Sequence, residues 1–198
     1  MVQKVIDMQE TNNQLHVAPH LWGAKGFPYE MIEDEMKGEG VMDATQLLKK
    51  DHKEVKALLK EFARLSGRAA PKQQSVVTQL CRALTVHARL EEELIYPVFK
   101  ELRSHDIKDL VAEATEEHQV AKALIGELAA LSHDDEQYAA KVTVLGEYVQ
   151  HHIKEEEQEL FPKAHKHLSA KRLAELGEAL TARRQELENG VGVKKQAA

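Results

Sequence analysis

Six residues of this 198-residue chain combine metal-binding chemistry with helical spacing: His52, His87, Glu91, His118, His152 and Glu156. Each falls on a stripe that is otherwise apolar. His87 and Glu91 stand four residues apart, as do His152 and Glu156, and such pairs share one face of a helix. Each pair therefore offers an imidazole nitrogen and a carboxylate oxygen to the same point. Burying these groups is costly unless they are paired or bound to a cation. Four imidazoles and two carboxylates converging from four helices can satisfy one another through two cations, with two histidines on each ion and both glutamates bridging. Mixed nitrogen and oxygen ligation suits iron, with zinc or manganese as alternatives.

Recurrence separates this set from chance. The stretch "DHKEVKALLKEFARLS" (Asp51 to Ser66) lies over "EHQVAKALIGELAALS" (Glu117 to Ser132). In the same way "HARLEEELIYP" (His87 to Pro97) lies over "HIKEEEQELFP" (His152 to Pro162). His52 precedes His87 by 35 residues, and His118 precedes His152 by 34. A proline follows each seam glutamate by six residues. The repeat also sorts the neighbours: His151 aligns with Val86 and turns off the seam. Glu92, Glu93, Glu155 and Glu157 read as solvated faces, and His105, His133, His165 and His167 read as surface residues at helix ends or loops. Tyr148, one turn before His152, reads as a core tyrosine, with a hydrogen-bond donor behind the site as the alternative.

The elements that must position this set are helices. Asp43 is an N-cap for a helix running to about Ser66, with Leu48, His52, Val55, Leu59 and Phe62 on its stripe. A second helix follows Pro71, with Val77, Leu80, Leu84, His87, Glu91, Leu94 and Val98 on one seam. A third spans about Ile107 to Leu131, and a fourth about Asp135 to Leu168. Short connections make these an all-α, antiparallel up-down four-helix bundle built from two repeated hairpins. A fifth helix, about Ala170 to Glu188, carries Leu173, Leu176, Leu180 and Leu187 and is expected to pack on its own bundle. The predicted organisation is an irregular N-terminal arm (1–42), the bundle (43–168), and a C-terminal helix and tail (169–198). The arm holds Trp22, Phe27, Tyr29 and the pair His16/His20, and is expected to lie over the bundle.

Composition narrows the function classes. Apolar residues make up 42%, charged residues 30% and aromatics 5%, as expected of a soluble helical protein. A net charge of −6 without a basic cluster leaves no footprint for nucleic acid. No apolar run approaches the roughly 18 residues of a membrane span. Asp7 and Glu10 interrupt the place where a signal peptide has its apolar stretch. The single cysteine, Cys81, excludes an internal disulfide framework and fits a reducing compartment. The expected location is the cytoplasm, and the expected assembly a monomer or homodimer.

From about Asp43 to His167 the chain resembles the hemerythrin-like family, the HHE cation-binding domain. The motifs that carry the resemblance are "KDH" at His52, "HARLEEELIYP", "EEH" at His118 and "HIKEEEQELFP". It implies a non-haem di-iron centre with an oxo or hydroxo bridge, whose small-molecule partners are oxygen, hydrogen peroxide or nitric oxide. The ferritin-like alternative uses Glu-x-x-His, and no histidine here has a glutamate three residues before it. Lys122 stands where oxygen-carrying members have a further histidine, mirrored by Lys56 in the first helix. Glu156 lies four residues after its histidine, where those carriers have an aspartate at five. The expected activity is therefore peroxide breakdown or ferrous-iron oxidation at a His4Glu2 centre, with oxygen or nitric oxide sensing without turnover as the alternative.

Overall fold

The computed structural model describes residues 42–65 and 70–193. The predicted arm, with Trp22, Phe27, Tyr29, His16 and His20, lies outside the described residues, as does the end of the C-terminal tail. Helix α1 is Ala44–Arg64. The second bundle helix is α2 (Ala70–Leu90), a π-helical turn (Glu91–Ile95) and α3 (Tyr96–Glu101). Helix α4 is His105–Ala130. The fourth bundle helix repeats the second: α5 (Glu136–Glu155), a π-helical turn (Glu156–Leu160) and α6 (Phe161–His167). Helix α7, Ala170–Val193, is the fifth.

Local chemistry starts these helices where the chain needs them. Asp43 and Gln46 form a reciprocal capping box at the start of α1. Ser104 accepts from the Ile107 amide before α4, and Asp135 from the Gln137 amide before α5. The helices are built as anticipated, with one difference in the seam. Past Glu91 the buried residues are Ile95, Tyr96 and Phe99, not the expected Leu94 and Val98. The cause is the π turn, which inserts one residue and shifts the buried face by one position. Each turn sits just before a proline, Pro97 or Pro162, whose ring would collide with the carbonyl four residues back. The Tyr96 amide bonds back to the Glu91 carbonyl, and the Phe161 amide to the Glu156 carbonyl, each across five residues.

The core is divided in two. One cluster gathers Leu48, Leu90, Ile95, Phe99, Ile107, Val111, Leu160 and Phe161. The other gathers Val55, Leu80, Leu84, Val142, Leu145, Val149 and Ile153. His52 follows Leu48 and precedes Val55 along α1, so the polar residues form a layer between the clusters. Helix α7 closes the first cluster with Leu176, Leu180 and Leu187, all buried on its own bundle. Among the described residues no helix is long and apolar enough to cross a membrane.

Gly177 lets α7 approach the start of α1. A Cβ there would collide with the Met42 carbonyl oxygen and crowd the Asp43 and Ala44 backbone. Backbone cannot step aside as a side-chain end can, so Gly177→Ala is expected to cost about 1–3 kcal/mol in denaturant unfolding. Gly126→Ala, with nothing within 4 Å of the new methyl, is expected to be neutral or to stabilise by up to about 1 kcal/mol. Equal effects at the two positions would show that α7 does not hold this close approach.

Candidate metal centre

All six seam residues meet in the layer between the two cores, and all are buried. The Nε2 atoms of His52 and His87 lie 3.2 Å apart, and those of His118 and His152 also 3.2 Å. Glu91 Oε2 stands between the pairs, 3.2 Å from His87 Nε2 and 3.4 Å from His118 Nε2. Glu156 Oε2 does the same, 3.2 Å from His52 Nε2 and 3.5 Å from His152 Nε2. Ligand-type atoms of His52, His87, Glu91 and Glu156 fall within 4.8 Å of one another, as do those of Glu91, His118 and His152.

Each imidazole is oriented from behind by a carboxylate. His52 Nδ1 lies 2.9 Å from Glu157, His87 Nδ1 3.3 Å from Asp51, His118 Nδ1 3.0 Å from Glu92, and His152 Nδ1 2.8 Å from Glu117. An ionised carboxylate only accepts, so each Nδ1 is the protonated donor. In the neutral ring Nε2 then carries the lone pair, aimed inward. With both rings of a pair neutral, two lone pairs face each other at 3.2 Å, a repulsion that a proton or a metal cation between them relieves. Glu91 Oε1 and Glu156 Oε2 are buried with no hydrogen-bond partner. An arrangement of this kind is cation-seeking.

The electrostatics point the same way. Burial alone would lower the His152 imidazole, but Glu156, Glu117 and Glu91 outweigh it and push it up to about 9. His52 is raised against its burial by Glu156, Glu91 and Glu157. Burial would raise the Glu156 carboxyl, yet His152, His52 and His87 hold it well below the usual range. Among the described residues, six carboxylates (Asp51, Glu91, Glu92, Glu117, Glu156, Glu157) surround the four rings, against the cations Lys56, Lys122 and Arg184.

Some neighbours differ from their sequence reading. Glu92 and Glu157 are half-buried supports of histidine Nδ1 atoms rather than solvated residues. They sit beside a seam glutamate, and the widened π turn brings them over the facing histidine. Lys56 and Lys122 do not reach the cluster; partly exposed to solvent, each ends on one of these carboxylates, at 3.2 Å from Glu157 and 2.6 Å from Glu92. Tyr148 is 45% exposed rather than in the core. His165, although exposed, bonds Thr45 Oγ1 at 2.9 Å. Sequence reasoning missed the supports Asp51 and Glu117, and it missed Tyr96. Its buried hydroxyl donates to Glu156 Oε1 at 2.9 Å, and it also lies 3.5 Å from both Glu91 Oε2 and His118 Nε2. The available signal was its repeat partner, Phe161. Tyr96 lies against the His118 ring as Phe161 lies against His52, but only the tyrosine brings a proton.

Beside the four rings lies a cavity of about 30 Å³, lined further by Val55, Leu84, Ala88, Ala121, Ile125, Val149 and Ile153, with Thr85, Glu117, Lys122 and Tyr148. A single water needs roughly 10–15 Å³ on this measure, so the space suits a molecule of about two heavy atoms.

Comparison with known proteins identifies the family and the fold. The chain belongs to the hemerythrin family, the Hemerythrin HHE cation binding domain, which matches residues 43–164. A DNA nickase of Nostoc sp. is 25% identical over 151 residues, covering 76% of this chain and 42% of that protein. An uncharacterized hemerythrin-like protein of Schizosaccharomyces pombe is 30% identical over 97 residues, covering 49% of this chain and 46% of that one. The chain thus spans less than half the length of these curated relatives. The crystal structure of a hemerythrin HHE cation binding domain-containing protein from Mycobacterium kansasii superposes with a TM-score of 0.67 at 22% identity. It covers 79% of this chain and 93% of its own, and at that identity it shows the fold alone.

Proposed function

We propose that this chain is a di-iron protein that breaks down peroxide, with oxidation of ferrous iron as the related activity. The proposed ligands are His52 and His87 for one ion and His118 and His152 for the other, with Glu91 and Glu156 bridging. The observation that carries the reading is the facing Nε2 pairs, 3.2 Å apart, with the Nδ1 protons committed to carboxylates behind them. Glu91 Oε1 and Glu156 Oε2, buried without partners, fit the same two cations. Imidazole with carboxylate suits iron, zinc or manganese, and the redox reading selects iron.

Two peroxide molecules would give one oxygen and two waters, the first losing two electrons and two protons, the second gaining them. Bound iron supplies one-electron redox chemistry at two adjacent centres, which matches that two-electron change. The chain's own contribution is confinement and proton placement. Val55, Leu84, Ala121 and Ile125 give the rings a close apolar wall, which limits the space beside them to a molecule of about two heavy atoms. Tyr96 stays protonated, because burial and the charges of Glu91 and Glu156 raise its pKa well above the usual value. Its hydroxyl therefore holds a proton at Glu156 Oε1.

The name of the Nostoc relative concerns that longer protein, and action on DNA is not proposed for this chain. Oxygen or nitric oxide binding without turnover is the rival reading, favoured by the size of the cavity. Protein from iron-rich culture is expected to hold about two irons per chain, to release oxygen from hydrogen peroxide, and to form no long-lived oxygen adduct. Metal analysis, an oxygen electrode and an optical spectrum in air read all three. One tightly held zinc per chain, or a stable reversible oxygen adduct with no peroxide turnover, would overturn the proposal.

A further inference from the structure

The internal repeat extends beyond the six seam residues to the groups behind them. Asp51 and Glu117 each precede a seam histidine of their own helix and support the histidine of the next helix. Glu92 and Glu157 each follow a seam glutamate and support a histidine of the other hairpin. Lys56 and Lys122 cap those two in turn. In these supports the halves match, although Tyr96 stands beside His118 where Phe161 stands beside His52, and both seam glutamates group with His52 and His87 but only Glu91 with His118 and His152.

Helix α7 has no counterpart in the repeat, and it breaks the symmetry at one atom. Arg184 Nη2 lies 2.5 Å from Asp51 Oδ2, the same oxygen that faces His87 Nδ1 at 3.3 Å. At the repeat-related place Glu117 Oε2 faces His152 Nδ1 at 2.8 Å. Among the described residues no lysine or arginine pairs with Glu117, whose other oxygen has His151 Nε2 at 3.8 Å. Both carboxylates behind the His52–His87 pair thus carry a cation, and only one of the two behind the His118–His152 pair does.

A carboxylate behind an imidazole raises the ring's donor strength, and losing such support weakens metal binding by about 10–100-fold. A guanidinium on the same oxygen competes for that electron density and draws the carboxylate away from the ring. We propose that Arg184 is a positioning residue, acting through Asp51 and His87, which makes the His52–His87 position hold its metal ion more weakly than the His118–His152 position. The inference rests on the two-ion reading above.

Cobalt(II) titration of the full chain in competition with a chelator tests it, since cobalt's visible bands report each binding step without turnover. The unmodified protein is expected to bind two ions in steps about tenfold apart. Arg184→Leu keeps the apolar stem and frees Asp51, and is expected to strengthen the weaker step and bring the two within about threefold. Arg183→Leu, on the same helix but paired with Glu93, is expected to leave the tenfold gap in place. Adding Asp51→Asn to Arg184→Leu is expected to weaken the lower step again, because the support behind His87 is then gone. Two steps of equal affinity in the unmodified protein, or a gap that survives Arg184→Leu, would overturn the inference while leaving the two-ion centre standing. A single step of one ion would overturn the two-ion reading itself.

Discussion

Replacing Glu156 with alanine is expected to reduce bound iron from about two per chain to nearly none, and to abolish the thermal stabilisation that metal confers. Glu156 Oε2 lies within 3.5 Å of one histidine from each pair, so its loss removes a proposed bridge from both ions at once. A ligand that binds only the native state stabilises it by about 4 kcal/mol at a thousand times its Kd. For a chain of this size that is a melting shift of about 8–16 °C. The useful readout is the difference in melting temperature with and without chelator. The metal-free form of the variant also suffers, because His52 and His152 lose the carboxylate that raises their pKa. The parent is expected to lose roughly 10 °C on chelation, and the Glu156→Ala protein to melt at the same temperature either way. An unchanged chelation shift in the variant, with iron content intact, would remove Glu156 from the site.

Glu156 could be found in the sequence because it violates a pattern twice over. A carboxylate on an apolar stripe is costly, and Glu91 repeats the violation at the same offset from a histidine and a proline. The same logic made His52, His87, His118 and His152 legible, along with the bundle that brings them together. The π turns were not legible. Hydrophobic period is read with a fixed helical pitch, and one inserted residue moves the buried face from Leu94 and Val98 to Ile95, Tyr96 and Phe99 without altering local composition. That shift hid two further features. Glu92 and Glu157 looked solvated because a regular helix carries the residue after a seam position away from the core. Tyr96 was one register off the stripe, and an aromatic before a proline reads as packing. Arg184 lies outside the repeat altogether, so no internal comparison could single it out; only the packing of α7 against α1 brings it to Asp51.

Filling the cavity beside the rings is expected to separate metal binding from reaction. Ala121 lines that space together with Val55, Leu84 and Ile125, and it is only half-buried, so a larger side chain has room to enter from the rim. Leucine at this position adds three carbons to a cavity of about 30 Å³, leaving little room for a molecule of two heavy atoms. The substitution replaces none of the six proposed ligands and none of the carboxylates behind them. Ala121→Leu is therefore expected to keep about two irons per chain, and with them the stabilisation lost on chelation. Peroxide turnover should fall by about 100-fold, the usual consequence of displacing a reactant by an ångström or more. Ala121→Gly leaves the space open and is expected to turn over peroxide at a rate close to the parent's, at a stability cost of about 1 kcal/mol from the glycine in a helix. The comparison discriminates because both variants sit one turn from His118, and any effect of disturbing α4 alone would appear in both. Full turnover in the leucine variant with iron retained would mean that peroxide does not use this cavity, and the apolar wall would then be core packing and nothing more.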